Sequence, residues 1–297
     1  MTFEVASAAG HLLAFGRPEH LGSNEWLPAG RARTKISVVS TKAAQRAQTY
    51  VLKGNFAIEA FATDERELFL IEYMPSRAPW HYGLRRLNLE DGRVREIERE
   101  KRGAPGEMNG TGRLARFSPT GHELYTLYTQ QGFNYTHVEP AKADPKEVYA
   151  FVHLLNLNGA WTHCIDLPAP FGTGDATSHA MAVSDDGTRL YVVDPSSGGI
   201  ALIDPITSLV VDSVTAKLKS LRRGVSAAVG PDGDLYLAGM STVKVFDGES
   251  LRLVRSLDIR QRHPEIEVGA NGTDLYVVRG RQVVVLDAST GNRIRAL

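Results

Sequence analysis

The chain has 297 residues, 42% of them hydrophobic, and its 34 Lys and Arg balance its 34 Asp and Glu, so the formal net charge is zero. The absence of a block of like charge argues against sequence-independent nucleic-acid binding and against an anionic membrane as the main partner. The single cysteine, Cys164, rules out an intrachain disulfide and a cysteine-based zinc site.

The N-terminal ten residues lack the basic region and the long apolar run of a signal peptide. No apolar stretch approaches the roughly 20 residues that are needed to span a bilayer. We therefore expect a soluble chain without membrane insertion. It is expected to be cytoplasmic as written, or exported or membrane-anchored if an N-terminal segment has been removed.

In chain order, the sequence indicates short strands that are joined by tight turns. Residues 5–15 and 60–71 each contain a strand, a turn and a second strand, and residues 115–127 add a Ser-Pro-Thr-Gly turn followed by Leu-Tyr. The same order of strand, Gly-closed turn and Leu-Tyr strand is clearest in residues 182–194, 228–238 and 267–278. The turn glycines Gly187, Gly233 and Gly272 are 46 and 39 residues apart, and a period near 40 built from short strands is typical of a β-propeller.

A second hairpin follows each of these units. Its first strand ends in Asp or Asn, as in Ile200–Asp204, Val243–Asp247 and Val283–Asp287. The carboxylate accepts hydrogen bonds from the turn backbone, so we interpret Asp204 and Asp247 as turn caps. Each unit therefore contains four antiparallel strands, which we name a to d.

The sequence predicts an all-β fold, a single propeller domain over 1–297 with four-stranded antiparallel blades. Six blades are expected, and seven are the alternative if residues upstream supply another. The blade limits are about 2–53, 56–98, 113–167, 180–215, 225–257 and 264–297.

The lengths of the connections point to one functional face. In a propeller the b–c and d–a connections share one side, which we call the loop face. The b–c connections of blades 1 to 3 are long, at about 17–33, 74–81 and 130–148, and two d–a connections, 99–112 and 168–179, are long as well. Long loops on a rigid scaffold cost little stability and commonly carry binding.

The Leu-Tyr-Val-Val and Val-Val-Val-Leu-Asp-Ala-Ser-Thr-Gly segments resemble the YVTN-type repeat propellers, which are distant relatives of WD-repeat and quinoprotein-dehydrogenase-like propellers. The resemblance is strongest over 180–297 and weakest over 1–50. The stretches Phe151–Leu155 and Cys164–Pro168 are also similar to those of uncharacterised bacterial propellers. The resemblance implies the fold and a binding role. No catalytic motif can be carried over, and no Trp-Asp dipeptide closes the blades.

Aromatic residues in the long connections favour binding of a protein or peptide, because aromatic and Arg side chains dominate interface hot spots. The alternative is that these loops fold over each other and bury their own aromatic side chains. Together with two polar residues where strands a begin, the predicted binding residues are Trp26, Trp80, His81, Tyr82, Arg113, Phe133, Tyr135, His137 and His179.

Other chemistry has weaker support. His153, His163, Cys164 and His179 do not form a metal set, because His163 and Cys164 are consecutive in a strand and point to opposite faces. We expect no metal and no cofactor, and we interpret Cys164 as a small buried hydrophobe. The Gly-rich segment 103–112 lacks the Gly-Lys-Ser/Thr ending of a phosphate loop.

An enzyme remains the alternative to a binding module. It would be a hydrolase or lyase with Arg113, His179 and Glu59 at the mouth of the central channel. Glu59 and Glu72 are otherwise expected to line the channel or to pair with Arg85 or Arg86. A third possibility is a structural part of a larger envelope assembly.

Overall fold

The computed structural model describes residues 1–17, 27–42, 47–99, 107–109, 111–131, 149–218, 225–239, 242–259, 265–269, 271–279 and 281–297. In these ranges the regular structure is β-sheet, apart from a short 3-10 helix at Ala176–Ser178. No helix within them has the length and apolarity that a membrane crossing requires.

The strands follow one another as antiparallel meanders. Blades 1 and 2 contain β1 (Thr2–Ala6), β2 (Leu12–Gly16), β3 (Arg33–Ser40), β4 (Gln48–Lys53), β5 (Asn55–Phe61), β6 (Glu67–Met74), β7 (His81–Asn88) and β8 (Val94–Glu96). Blade 3 and its extra strand contain β9 (Glu98–Arg99), β10 (Thr111–Phe117), β11 (Glu123–Gln131), β12 (Tyr149–Asn156) and β13 (Trp161–Asp166). Blades 4 to 6 contain β14 (Ala180–Val183), β15 (Leu190–Asp194), β16 (Gly199–Asp204), β17 (Leu209–Thr215), β18 (Ser226–Val229), β19 (Leu235–Gly239), β20 (Thr242–Phe246), β21 (Leu253–Asp258), β22 (Glu265–Val268), β23 (Asp274–Arg279), β24 (Gln282–Asp287) and β25 (Arg293–Ala296).

Six sheets result, and the strand order in five of them is the chain order a-b-c-d. This repeated four-stranded antiparallel unit confirms the prediction of a propeller with six blades. Blade 3 differs, because β9 adds a fifth strand that pairs in parallel with β13. The long d–a connection predicted at about 99–112 therefore begins with a residue in a short strand, since Arg99 pairs with Thr162.

The blades pack face to face through apolar side chains. Five hydrophobic clusters lie between consecutive blades, from the pair of blades 1 and 2 to the pair of blades 5 and 6. The tyrosine of the Leu-Tyr pattern faces the next blade: Tyr125 packs in the cluster of blades 3 and 4, Tyr191 in that of blades 4 and 5, and Tyr236 in that of blades 5 and 6. Middle strands of the inner blades, such as β15, β16 and β19, are buried on both faces, so the repeat encodes contact between blades as well as strand formation.

The predicted turn caps are confirmed. The carboxylate of Asp204 accepts hydrogen bonds from the backbone N–H groups of Ile206 and Thr207 at 2.8 and 3.2 Å. Asp247 accepts from the N–H and the hydroxyl of Ser250 at 2.7 and 2.6 Å. These local bonds satisfy turn donors that would otherwise depend on water.

Asp287 gives a pH-dependent test of these caps. Hydrogen bonds from Ser289 and Thr290 lower the pKa of the Asp287 carboxyl from its ordinary value of 3.8 to about 2. A carboxyl whose pKa is lower in the folded chain stabilises the fold above its unfolded pKa, and this contribution is lost as the pH falls towards 2. We expect the stability difference between the wild type and Asp287→Asn to shrink as the pH falls from about 4 to about 2. Urea unfolding of both proteins across this pH range measures the difference in their free energies of unfolding. A difference that does not change with pH would contradict the prediction.

Candidate functional site

Trp80 is an exposed aromatic residue on the loop face of blade 2. It ends the b–c connection between β6 and β7, and 54% of its surface is exposed. Its backbone N–H donates to the Met74 carbonyl at 2.9 Å, and its ring centroid lies 3.8 Å from that of His81. The indole is therefore held in place while much of it faces solvent.

His81 and Tyr82, which follow Trp80 in the chain, are buried beneath the loop face and contact residues 107–109. His81 is buried, and its Nε2 lies 3.2 Å from a carboxylate oxygen of Glu107. Tyr82 is buried and exchanges two backbone hydrogen bonds with Met108, at 2.8 and 2.7 Å. Its hydroxyl donates to the Asn109 carbonyl at 3.1 Å. Both predicted binding residues thus attach residues 107–109 to β7, where they contribute little accessible surface.

A row of aromatic rings continues from Tyr82 into the sheet. The Tyr82 ring centroid lies 5.8 Å from that of Tyr73 and 5.6 Å from that of Tyr128, and the centroids of Tyr128 and Phe151 are 5.5 Å apart. Such tilted pairs stabilise beyond the area that they bury. The b–c side of blades 2 and 3 therefore has a rigid aromatic base.

The first b–c connection folds over onto the second. The Arg31 N–H donates to the Ser76 carbonyl at 2.7 Å, and Arg31 Nε donates to Asn55 Oδ1 at 2.7 Å. Gly30 leaves no room for a side chain, because a Cβ there would lie 1.9 Å from the Arg77 carbonyl oxygen. Leu27 is buried in the cluster between blades 2 and 3. Residues 30 and 31 of the first b–c connection therefore pack against the second, but residues 27–31 include none of the predicted aromatic residues.

His179 holds the connection before blade 4. It is buried, with Nδ1 2.9 Å from the Asp175 carbonyl oxygen and Nε2 3.9 Å from Asp194 Oδ2. The buried Asp194 carboxylate accepts hydrogen bonds from the hydroxyls of Ser196 and Ser197 at 2.6 and 2.5 Å. The predicted binding residue is therefore part of an internal polar network.

A cleft opens beside blade 1, where strands β1, β3 and β5 begin and β2 ends. These strand ends lie on the loop face. The cleft holds about 300 Å³ and combines the charged residues Glu4 and Arg17 with apolar walls. Its lining residues are Thr2, Phe3, Glu4, Gly16, Arg17, Thr34, Ile36, Phe56, Ala57 and Ile58. Sequence reasoning missed it, because no local motif marks a space between two blades.

Several predicted residues are outside this description. Trp26, Phe133, Tyr135 and His137 lie outside the described residues, and Arg113 lies in β10 with a side chain that is not described.

Glu72 pairs with Arg85 at 2.8 Å, which confirms the ion pair proposed for that strand carboxylate. In the described ranges, no three His, Cys, Asp or Glu side chains are placed to hold a metal ion. Cys164 is buried in the cluster between blades 2 and 3.

Charged residues of three blades influence one another near the innermost strands. Glu267 on β22 is exposed in part, and its partial desolvation, followed by the negative charge of Asp185, raises the pKa of its carboxyl, while Arg116 opposes this shift. These residues belong to blades 6, 4 and 3.

No family model and no curated protein matches this chain. Among solved structures, the β-propeller domain of Myceliophteria thermophila Cps50 (Swd1) is similar over 99% of this chain and 84% of its own, with 14% identity and a TM-score of 0.47. Kuenenia stuttgartiensis hydrazine synthase is similar over 61% of this chain at 18% identity and a TM-score of 0.43, and the match spans about half, 47%, of that chain. The order of its own sheets defines this chain as a β-propeller.

Proposed function

We propose that this propeller is a non-enzymatic binding module that engages a protein or peptide through the loop face of blades 1 to 3. Trp80 carries the proposal, because it is more than half exposed and yet is ordered by its backbone hydrogen bond and by His81. An aromatic side chain that is already ordered loses little entropy when a partner covers it.

The cleft between blades 1 and 2 supports the same proposal. It lies on the same side of the sheets as Trp80 and is large enough for a side chain of a bound peptide. Glu4 and Arg17 provide one charge of each sign beside the apolar walls of Phe56 and Ile58. A peptide that contacts Trp80 and places an apolar or amphipathic side chain in the cleft matches this chemistry.

Peptides selected from a random displayed library on the intact chain provide the test, with affinity measured by fluorescence anisotropy. We expect Trp80→Ala to weaken binding by about thirtyfold, in the range of an interface hot spot. Ile206→Ala is the matched control, because Ile206 is also exposed but lies in the c–d turn of blade 4, on the opposite side.

Equal affinity of the two variants would overturn the proposal, as would a selection that enriches no peptide. Thermal unfolding of both variants shows whether the fold is retained. The alternative of a hydrolase or lyase gains no comparable support from the described residues, since His179 is buried within its own network.

A further inference from the structure

The first and last blades are each covered on one face only. In the inner blades, every residue of β15 and β19 is buried. In blade 6, exposed and buried residues alternate along β22, and in blade 1 most of β1 is exposed. None of the hydrophobic clusters formed by the described residues joins blade 6 to blade 1. We call these two uncovered faces the seam.

The open face of blade 6 is equivalent to faces of blades 4 and 5 that are covered by the next blade. Val278 occupies the register position of Val193 in blade 4 and Ala238 in blade 5. Val278 is 38% exposed, whereas Val193 and Ala238 are both 0% exposed. Tyr276 is likewise partly exposed, although the equivalent tyrosines of blades 4 and 5 are fully buried. The face has the shape of a blade interface without its neighbouring blade.

The blade 1 side of the seam is apolar near the ring centre. Phe3 is 55% exposed and packs edge to face on Phe15, with the ring centroids 6.0 Å apart. Leu13 and Val39 are directly paired and only partly buried, on the same face. Water contact with this much apolar surface is unfavourable, which favours a covering partner.

The outer rim of blade 1 is basic. Arg33 pairs with Lys53 across strands, and Lys35 pairs with Val51, so the three cations lie on the open face. All three are exposed, while Ile36 and Tyr50 of the same strands are buried towards blade 2. Strands β3 and β4 themselves contain no acidic residue, and Lys53 also lines a cleft with Glu72 and Glu96 of blade 2.

The outer strand of blade 6, β25, contains no acidic residue that could pair with the basic rim of blade 1. On the open face Arg295 of β25 is exposed and lies 3.4 Å from Asp274, whereas Arg293 pairs with Leu286, which packs towards blade 5. The acidic residues Glu265 and Glu267 lie on the innermost strand, far from this rim in the strand order.

Charge therefore disfavours direct closure of the seam. Neighbouring blades in this chain pack with their innermost strands side by side, as β14 does with β18 and β18 with β22. If blade 6 packed on blade 1 in this way, β25 would come beside β3 and β4, which places Arg295 near the cations of blade 1 and supplies no carboxylate from β25. Like charges in such contact cost free energy. The same conflict arises if blade 1 of a second copy packs on blade 6.

We propose that the seam binds a β-structured segment of a partner protein, which inserts as an additional blade with alternating apolar residues and with Asp or Glu along its outer strand. The apolar residues cover Phe3 and Val278, and the acidic residues pair with Lys35 and Lys53. The seam is formed by the sides of two blades, so this proposal does not depend on binding at the loop face.

Two synthetic β-hairpin peptides of equal length test the charge requirement. Both carry apolar residues at alternate positions, and the remaining strand positions are Glu in one and Lys in the other. At low salt we expect the Glu hairpin to bind the chain and the Lys hairpin not to bind. Replacing both Lys35 and Lys53 with Glu should weaken binding of the Glu hairpin by about tenfold or more. Arg252→Glu, a single charge reversal at an exposed position after the c–d turn of blade 5, should leave it unchanged.

Thiol labelling tests whether the seam is open. The native Cys164 is buried, so a maleimide reports on an introduced cysteine. We expect Val278→Cys to react at a rate close to that of Ile206→Cys and to be protected by the Glu hairpin. If Val278→Cys is protected in the chain alone, the seam is already covered by the chain itself or by a second copy. Sedimentation separates these two cases, and either one overturns the proposal, as does equal binding of the two hairpins.

Discussion

Replacing Phe69 with alanine is expected to lower the free energy of unfolding by about 3–5 kcal/mol. Phe69 is fully buried in the cluster between blades 2 and 3, where Tyr128 and Phe151 also lie. Truncation removes the buried ring and leaves a cavity between two sheets. The remaining side chains keep the sheets apart, so the cavity does not collapse fully. Urea unfolding followed by circular dichroism measures the change.

Phe117→Ala is the matched control for this core prediction. Phe117 is also a strand phenylalanine, at the end of β10, but its ring is exposed. Its replacement is expected to change stability by about 0.5 kcal/mol or less. A similar loss for both variants would show that the contact between blades 2 and 3 does not contribute as the structure indicates.

Gly248→Ala is expected to destabilise the chain by about 3 kcal/mol, because it introduces overlap and disturbs a buried hydrogen bond. A Cβ at this position would lie 1.9 Å from the Gly233 carbonyl oxygen and 2.7 Å from the Tyr191 hydroxyl. That hydroxyl donates to the Gly248 carbonyl at 2.8 Å, which connects blade 4 to a turn of blade 5. Thermal and urea unfolding report the loss.

Gly16→Ala is the control for this steric effect. The nearest atoms to a Cβ at Gly16 are Glu4 Cγ and Ile58 Cδ1, both at 3.3 Å, and both belong to side chains that can move. We expect a loss of about 1 kcal/mol or less. If Gly248→Ala is tolerated equally well, the close approach of the two turns is not present in solution.

The sequence predicted the features that depend on neighbouring residues. The turn at Gly187 and the caps at Asp204 and Asp247 were predictable because their hydrogen bonds close within a few residues. Strand β9 was missed because its partner Trp161 is far away in the chain, and two residues carry no periodic pattern.

Burial at the loop face was harder to predict. His81, Tyr82 and His179 have the residue types of a binding site, but contacts with other connections bury them. The open face of blade 6 did have a sequence signal. Glu267 stands at the position that alanine occupies in the equivalent strands of blades 4 and 5, and a carboxylate is unsuited to an apolar interface between blades.

Hydrogen exchange of the chain with and without a selected peptide tests the central claim most directly. Binding at the loop face predicts slower exchange at residues 55–58 and 75–80, where blade 2 borders the cleft and carries Trp80. The c–d turns at 205–208 and 247–250, on the opposite side, should exchange at unchanged rates. Protection of these turns, with none at 55–58 or 75–80, would contradict the assignment of the binding face.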